Sequence, residues 1–187
     1  MGLQGHSFGG FETEYIVAHS KLFAAACSGS GWSDAITAYS ALMIHEGDRH
    51  VSRQYMYEIG REDIGATMWH RPDLYIENSA VLYANKISTP LLKMNNKEDY
   101  DVFFFSGSEL YTALRRLGKP VWMLQYDGEG HSLFKESSVI DYNTRMNQFF
   151  DYYLKGAPPP MWMTRGVPAK LKQIDSGLEL DNSGAKP

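Results

Sequence analysis

The chain has 187 residues, 43% of them hydrophobic and 13% aromatic, which suits one globular unit with a buried core and excludes a disordered or coiled-coil chain. A formal charge of −4 leaves no basic surplus, so nucleic acid is not an expected partner. One cysteine, Cys27, excludes an internal disulfide and a cysteine-built metal centre, and no run approaches the ~18 apolar residues of a membrane span.

The first element is a short apolar strand, "MGLQ", that runs into the turn "GHSFGG". A helix over "FETEYIVAHS" follows, with Phe11, Tyr15, Ile16 and Ala18 able to share one face. "LFAAACSGSG", residues 22–31, reads as a buried strand closed by small residues. Residues 41–88 have a mixed pattern rich in Tyr, Met and Trp, and are expected to form a helical excursion, with helices over "VSRQYMYEIG" and "RPDLYIENSAVLYANKI".

Regular alternation then returns. "TPLLKMNN" predicts a strand entered at Pro90, and "SELYTALRRLG" a helix that buries Leu110, Ala113, Leu114 and Leu117 and stops at Gly118. "PVWMLQY" predicts another strand ending in the turn "DGEGH". The helix after it carries a stripe of Tyr142, Met146, Phe149, Phe150, Tyr153 and Leu154, terminated by Gly156 and three prolines. Residues 161–187 are expected to be a polar tail, wrapped on the surface or frayed, beyond a domain spanning 1–160.

Strands alternating with helices imply an α/β fold with a mostly parallel sheet covered on both faces. Sites in such sheets lie at the carboxyl ends of strands, which here directs attention to the loops holding Ser7, Asp99 and His131. "GHSFGG" fits the G-x-S-x-G elbow, a strained strand-to-helix turn that projects the serine and aims the next N–H at a developing oxyanion. Roughly one chain in ten of this composition would carry the pattern by chance, so the later residues decide. Ser, Asp and His follow in the order that α/β-hydrolases use, with a histidine available as general base and a carboxylate to orient it. Spacing does not choose among Glu98, Asp99 and Asp101. "HEGDRH" holds His45 and His50, but that spacing leaves a common helical face, so no metal and no cofactor is expected.

At these residues the sequence resembles the catalytic domain of the prolyl oligopeptidase family of serine peptidases, which includes dipeptidyl and acylaminoacyl peptidases. The likeness runs through "GLQGHSFGG", "YIENSAVLYANKISTPLL", "ALRRLGKPVWMLQYDGEGH" and "NQFFDYYLKGAPPPMW". It implies Ser7 as nucleophile, His131 as base and Asp99, three positions before Val102, as the carboxylate. The N–H of Phe8 becomes one oxyanion donor, and Tyr39 and Val102 fall where relatives line the pocket for the residue before the scissile bond. The chain departs from the family at "DYDVFFFSG", where a Val-Pro step is common, so the loop's shape is expected to differ.

The fold implied by the resemblance also places further strands, and a tyrosine that supplies the second oxyanion donor, ahead of the elbow. The chain is therefore expected to be the C-terminal portion of a larger hydrolase that needs its N-terminal segment. Lack of that donor would cost roughly 2.7–4 kcal/mol of transition-state stabilisation. The expected activity is hydrolysis of peptide bonds near proline or small residues, with a peptide as the partner. A catalytically incomplete fragment or association module, and an esterase on the same scaffold, are the alternatives.

Overall fold

The computed structural model describes residues 1–45, 49–172 and 174–187, and not the side chains of 43–45, 49–51 and 169. The side chains of His45 and His50 therefore lie outside what is described. The sheet has four parallel strands: β1 (Gly2–His6), β2 (Ala25–Gly29), β5 (Leu91–Met94) and β6 (Val121–Leu124), in the order β1-β2-β5-β6. Strands β3 (Leu42–His45) and β4 (Arg49–Ser52) form a separate antiparallel hairpin.

Alternation along the two central strands assigns the layers, because successive side chains of a strand point to opposite faces. Ala26 and Leu91 face one way, onto Val17 and Ala18 of α1 (Phe8–His19) and Leu110 and Leu114 of α5 (Phe104–Arg116). Ala25, Cys27 and Leu92 face the other way, onto Phe149 of α6 (Glu136–Lys155) and Trp162 and Met163 of α7 (Met161–Thr164). The small residues of β2 let helices approach it from both sides.

Several local expectations change. After the short helix α2 (Ala35–Tyr39), the helical excursion at 41–88 opens with the β3–β4 hairpin and continues as short pieces: α3 (Gln54–Glu58), α4 (Pro72–Glu77) and a 3-10 turn over Ala80–Tyr83. The helix expected to run unbroken from Arg71 stops at Asn78, because the Ser79 hydroxyl bonds the Tyr75 carbonyl and caps the backbone of Ala35 instead. Leu117 and Leu154 lie exposed beyond the buried stripes of α5 and α6. The tail is not frayed at its start. Trp162 and Met163 are buried, and Asp181 is held by Thr164 and Arg165, so residues after the prolines complete one face of the core.

The buried face of α1 also differs from the apolar pattern. It comprises Gly10, Phe11, Thr13, Glu14, Val17 and Ala18, while Tyr15 and Ile16 are only half-buried. Glu14 reaches this face because it meets the ammonium of Lys93 on β5, both side chains having no solvent exposure. Ser28 on β2 donates to the same carboxylate at 2.6 Å. One ionic cluster thus joins the helix behind the elbow to the two strands beside it.

Candidate active site

Ser7 sits between β1 and α1 with φ 58° and ψ −118°, a backbone state unfavourable for any residue with a Cβ. Two bonds hold it there: its N–H donates to the Gly29 carbonyl at 2.8 Å, and its own carbonyl accepts from Phe11 N–H at 3.0 Å. The turn closes so tightly that a Cβ on Gly5 would lie 2.0 Å from the Gly9 carbonyl oxygen, and one on Gly10 2.6 Å from that of Gly29. A Cβ on Gly9 would meet open space. Gly5→Ala is therefore expected to destabilise the protein by ~3 kcal/mol or more, whereas Gly9→Ala leaves stability unchanged or slightly higher. Urea unfolding of the two variants checks the contrast.

His131 follows β6 and Asp99 follows β5, and both side chains converge on the elbow. His131 Nε2 lies 2.7 Å from Ser7 Oγ, and Nδ1 lies 2.9 Å from Asp99 Oδ2. The second Asp99 oxygen, Oδ1, accepts the N–H groups of Asp101 at 2.9 Å and Val102 at 2.8 Å. Asp99 is 1% exposed, whereas Glu98 is exposed. The backbone fold of "DYDV" thus turns one carboxylate of the three inward and satisfies both its oxygens.

The His131 loop is fixed by groups that the sequence pattern did not single out. The Asn96 side-chain amide donates to the Gly130 carbonyl at 2.8 Å and accepts from Tyr126 N–H at 2.9 Å. The buried Glu129 carboxylate accepts from the N–H groups of Phe134 and Lys135, at 2.8 and 3.0 Å. Burial alone would raise its pKa, yet these bonds and the Ser138 hydroxyl hold it below the usual carboxylate value. His6, whose ring centroid is 5.3 Å from that of His131, has its pKa lowered by burial and by that neighbouring imidazole.

Phe8 is the first residue of α1, so its N–H falls outside the i→i−4 ladder. Its ring packs against a buried cluster that includes Phe11, Trp32, Tyr39, Tyr57, Tyr75 and Val102. Tyr39 and Val102 thus share one apolar wall, with the Tyr39 hydroxyl donating to Glu58 at 2.5 Å. Where a Val-Pro step is common, Phe103 has φ −55° and ψ 141°, within the range a proline adopts.

Glu109 on α5 is a strongly perturbed acid away from this line. Burial and the charge of Asp34 push its pKa up to about 7, against the opposing pull of Lys93. An acid raised on folding binds more protons in the folded state, so its contribution declines as pH rises from about 4.5 through 7. Discounted for its partial exposure, Glu109→Gln is expected to stabilise the protein by ~1 kcal/mol at pH 8, or ~2–4 °C in Tm, and by little at pH 4.5. Thermal melts at the two pH values test this. Among the described residues no group of three or more His, Cys, Asp or Glu is placed to hold a metal ion.

A serine elbow between a parallel strand and its helix, with acidic and imidazole loops at the ends of the following parallel strands, defines an α/β-hydrolase-like fold. Residues 1–157 match the prolyl oligopeptidase family, and the chain belongs to it. It is 22% identical over 163 residues to dipeptidyl-peptidase 5 of Porphyromonas endodontalis, covering 83% of this chain and 21% of that protein. The structure of an acylaminoacyl peptidase in complex with Z-Gly-Gly-Phe-chloromethyl ketone superposes with a TM-score of 0.66 at 25% identity, over 82% of this chain and 24% of the other. A Mycobacterium tuberculosis puromycin-hydrolyzing peptidase gives a TM-score of 0.71 at 24% identity, over 84% and 22%. The chain therefore spans about a fifth to a quarter of the length of these relatives.

Proposed function

We propose that this chain carries the reacting residues of a serine peptidase, with Ser7 as nucleophile, His131 as general base and acid, and Asp99 as the orienting carboxylate. The observation that carries the reading is the unbroken hydrogen-bonded line from Ser7 Oγ through the His131 ring to Asp99. With Nδ1 protonated toward Asp99, Nε2 is left as the acceptor that faces the serine hydroxyl. As Oγ bonds to the substrate carbonyl carbon, its proton passes to Nε2. The Phe8 N–H stabilises the oxyanion, and collapse breaks the C–N bond while Nε2 returns the proton to the leaving amine. Water, deprotonated at Nε2, then releases the acyl group and restores Ser7.

Asp99 stabilises the imidazolium between these transfers without taking its proton. The two backbone N–H groups on Oδ1 hold the carboxylate in place, with its second oxygen on Nδ1. The apolar wall of Phe8, Trp32, Tyr39 and Val102 suits a proline ring or a small side chain before the scissile bond. A peptide is the substrate in this reading, and no cofactor enters the reaction. Comparison of a proline-containing peptide anilide with the corresponding ester tests it. Cleavage of the anilide that disappears in Ser7→Ala is the expected result; hydrolysis confined to the ester, or anilide cleavage that survives Ser7→Ala, overturns it.

A further inference from the structure

The run Gly29-Ser30-Gly31 closes β2 between the elbow strand and the strand that leads to Asp99. A residue in the left-handed region is most cheaply glycine, and this run offers two. The positive φ, 45°, nevertheless falls on Ser30 and on neither neighbour. Ser30 is also fully buried, where a hydroxyl without a partner is costly. Its hydroxyl has a partner: Oγ donates to the main-chain carbonyl of His131 at 2.7 Å, across 101 positions of sequence.

The other bonds of this dipeptide reach the remaining parts of the site. Gly29 accepts the Ser7 N–H at 2.8 Å, and Ser30 N–H donates to the carbonyl of Met94, the last residue of β5, at 2.6 Å. Two adjacent residues therefore hold the backbone of Ser7, the strand end before the Asp99 loop and the backbone of His131. Asn96 and Glu129 restrain the His131 loop at its flanks, whereas Ser30 alone among these bonds His131 itself.

We propose that Ser30 is a positioning residue: its hydroxyl fixes the His131 backbone relative to the Ser7 backbone, and so sets the separation of base and nucleophile. This rests on the reading of Ser7 and His131 as the reacting pair. The strained conformation is retained because only a residue with a short donor side chain makes the cross-loop bond from that position. Glycine would relax the backbone and lose the bond, so stability and reactivity separate in Ser30→Gly.

The test uses the chain and its Ser30→Gly and Ser30→Ala variants. Three readouts are taken: the thermal midpoint, the rate of Ser7 labelling by a fluorophosphonate, and the low-field NMR proton resonance of His131 Nδ1–H. Expected is a ten- to hundredfold slower labelling in both variants and a broadened or lost resonance, with the midpoint of Ser30→Gly at or above that of the parent. Labelling and resonance at parental values overturn the proposal, as does a labelling loss no larger than the unfolded fraction explains. If the parent itself is not labelled, the reading of Ser7 fails. The resonance still decides the positioning role: its loss in Ser30→Gly supports that role, and its persistence refutes it.

Discussion

Asp99→Asn is expected to slow fluorophosphonate labelling of Ser7 by about 10⁴-fold while leaving the thermal midpoint nearly unchanged. The asparagine carbonyl oxygen can still accept the N–H groups of Asp101 and Val102, so the loop keeps its shape. Its NH2 group then faces His131 Nδ1 and donates to it. That moves the imidazole proton to Nε2, which meets Ser7 Oγ as a donor and cannot take its proton. The exposed neighbour Glu98 supplies the control, since Glu98→Gln is expected to label at the parental rate. Comparable losses in both variants would mean that the acidic loop acts through its overall charge, and Asp99 would lose its role.

The second large effect lies beneath the elbow. Lys93→Met leaves the Glu14 carboxylate without its ammonium, in a position with no solvent exposure, and is expected to cost about 3–5 kcal/mol. For a chain of this size that lowers Tm on the order of 10 °C. Glu14 Oε2 already has no hydrogen-bond partner, so only the neutral Ser28 hydroxyl remains on the carboxylate. Combining Lys93→Met with Glu14→Gln removes the unpaired charge, keeps an acceptor for the Ser28 hydroxyl, and is expected to recover most of the stability. Urea unfolding of the two single variants and the pair measures the coupling. Additive losses would show that Lys93 and Glu14 contribute independently.

That ion pair also explains where the amino-acid pattern was readable and where it was not. The four parallel strands and the long helices α5 and α6 follow from apolar runs, period and punctuation, all local properties. The inner face of α1 does not, because Glu14 is polar in sequence and buried only through a partner 79 positions away. The β3–β4 hairpin was masked by the charged stretch "HEGDRH", whose composition argues against a strand. Residues 71–87 look helical by composition, but the Ser79 side chain competes for backbone groups and breaks the run.

The candidate site divides in the same way. Ser7 was legible as an elbow and His131 as a residue after a strand, since both depend on short local motifs. In the sequence only the family resemblance separates Asp99 from Glu98 and Asp101. Its physical distinction, burial with two backbone donors on one oxygen, arises from how the loop turns. Ser30 is inconspicuous in the sequence because small residues in a glycine-rich run read as spacers, and a left-handed conformation falls by default to Gly29 or Gly31.

The most direct measurement is mass-spectrometric mapping of the adduct formed when the chain reacts with a fluorophosphonate. A single modification on the peptide carrying Ser7, absent from Ser7→Ala and strongly reduced in Asp99→Asn, is the predicted result. No modification of a folded chain, or labelling of another serine that persists in Ser7→Ala, would contradict the assignment of Ser7, His131 and Asp99 as the reacting line.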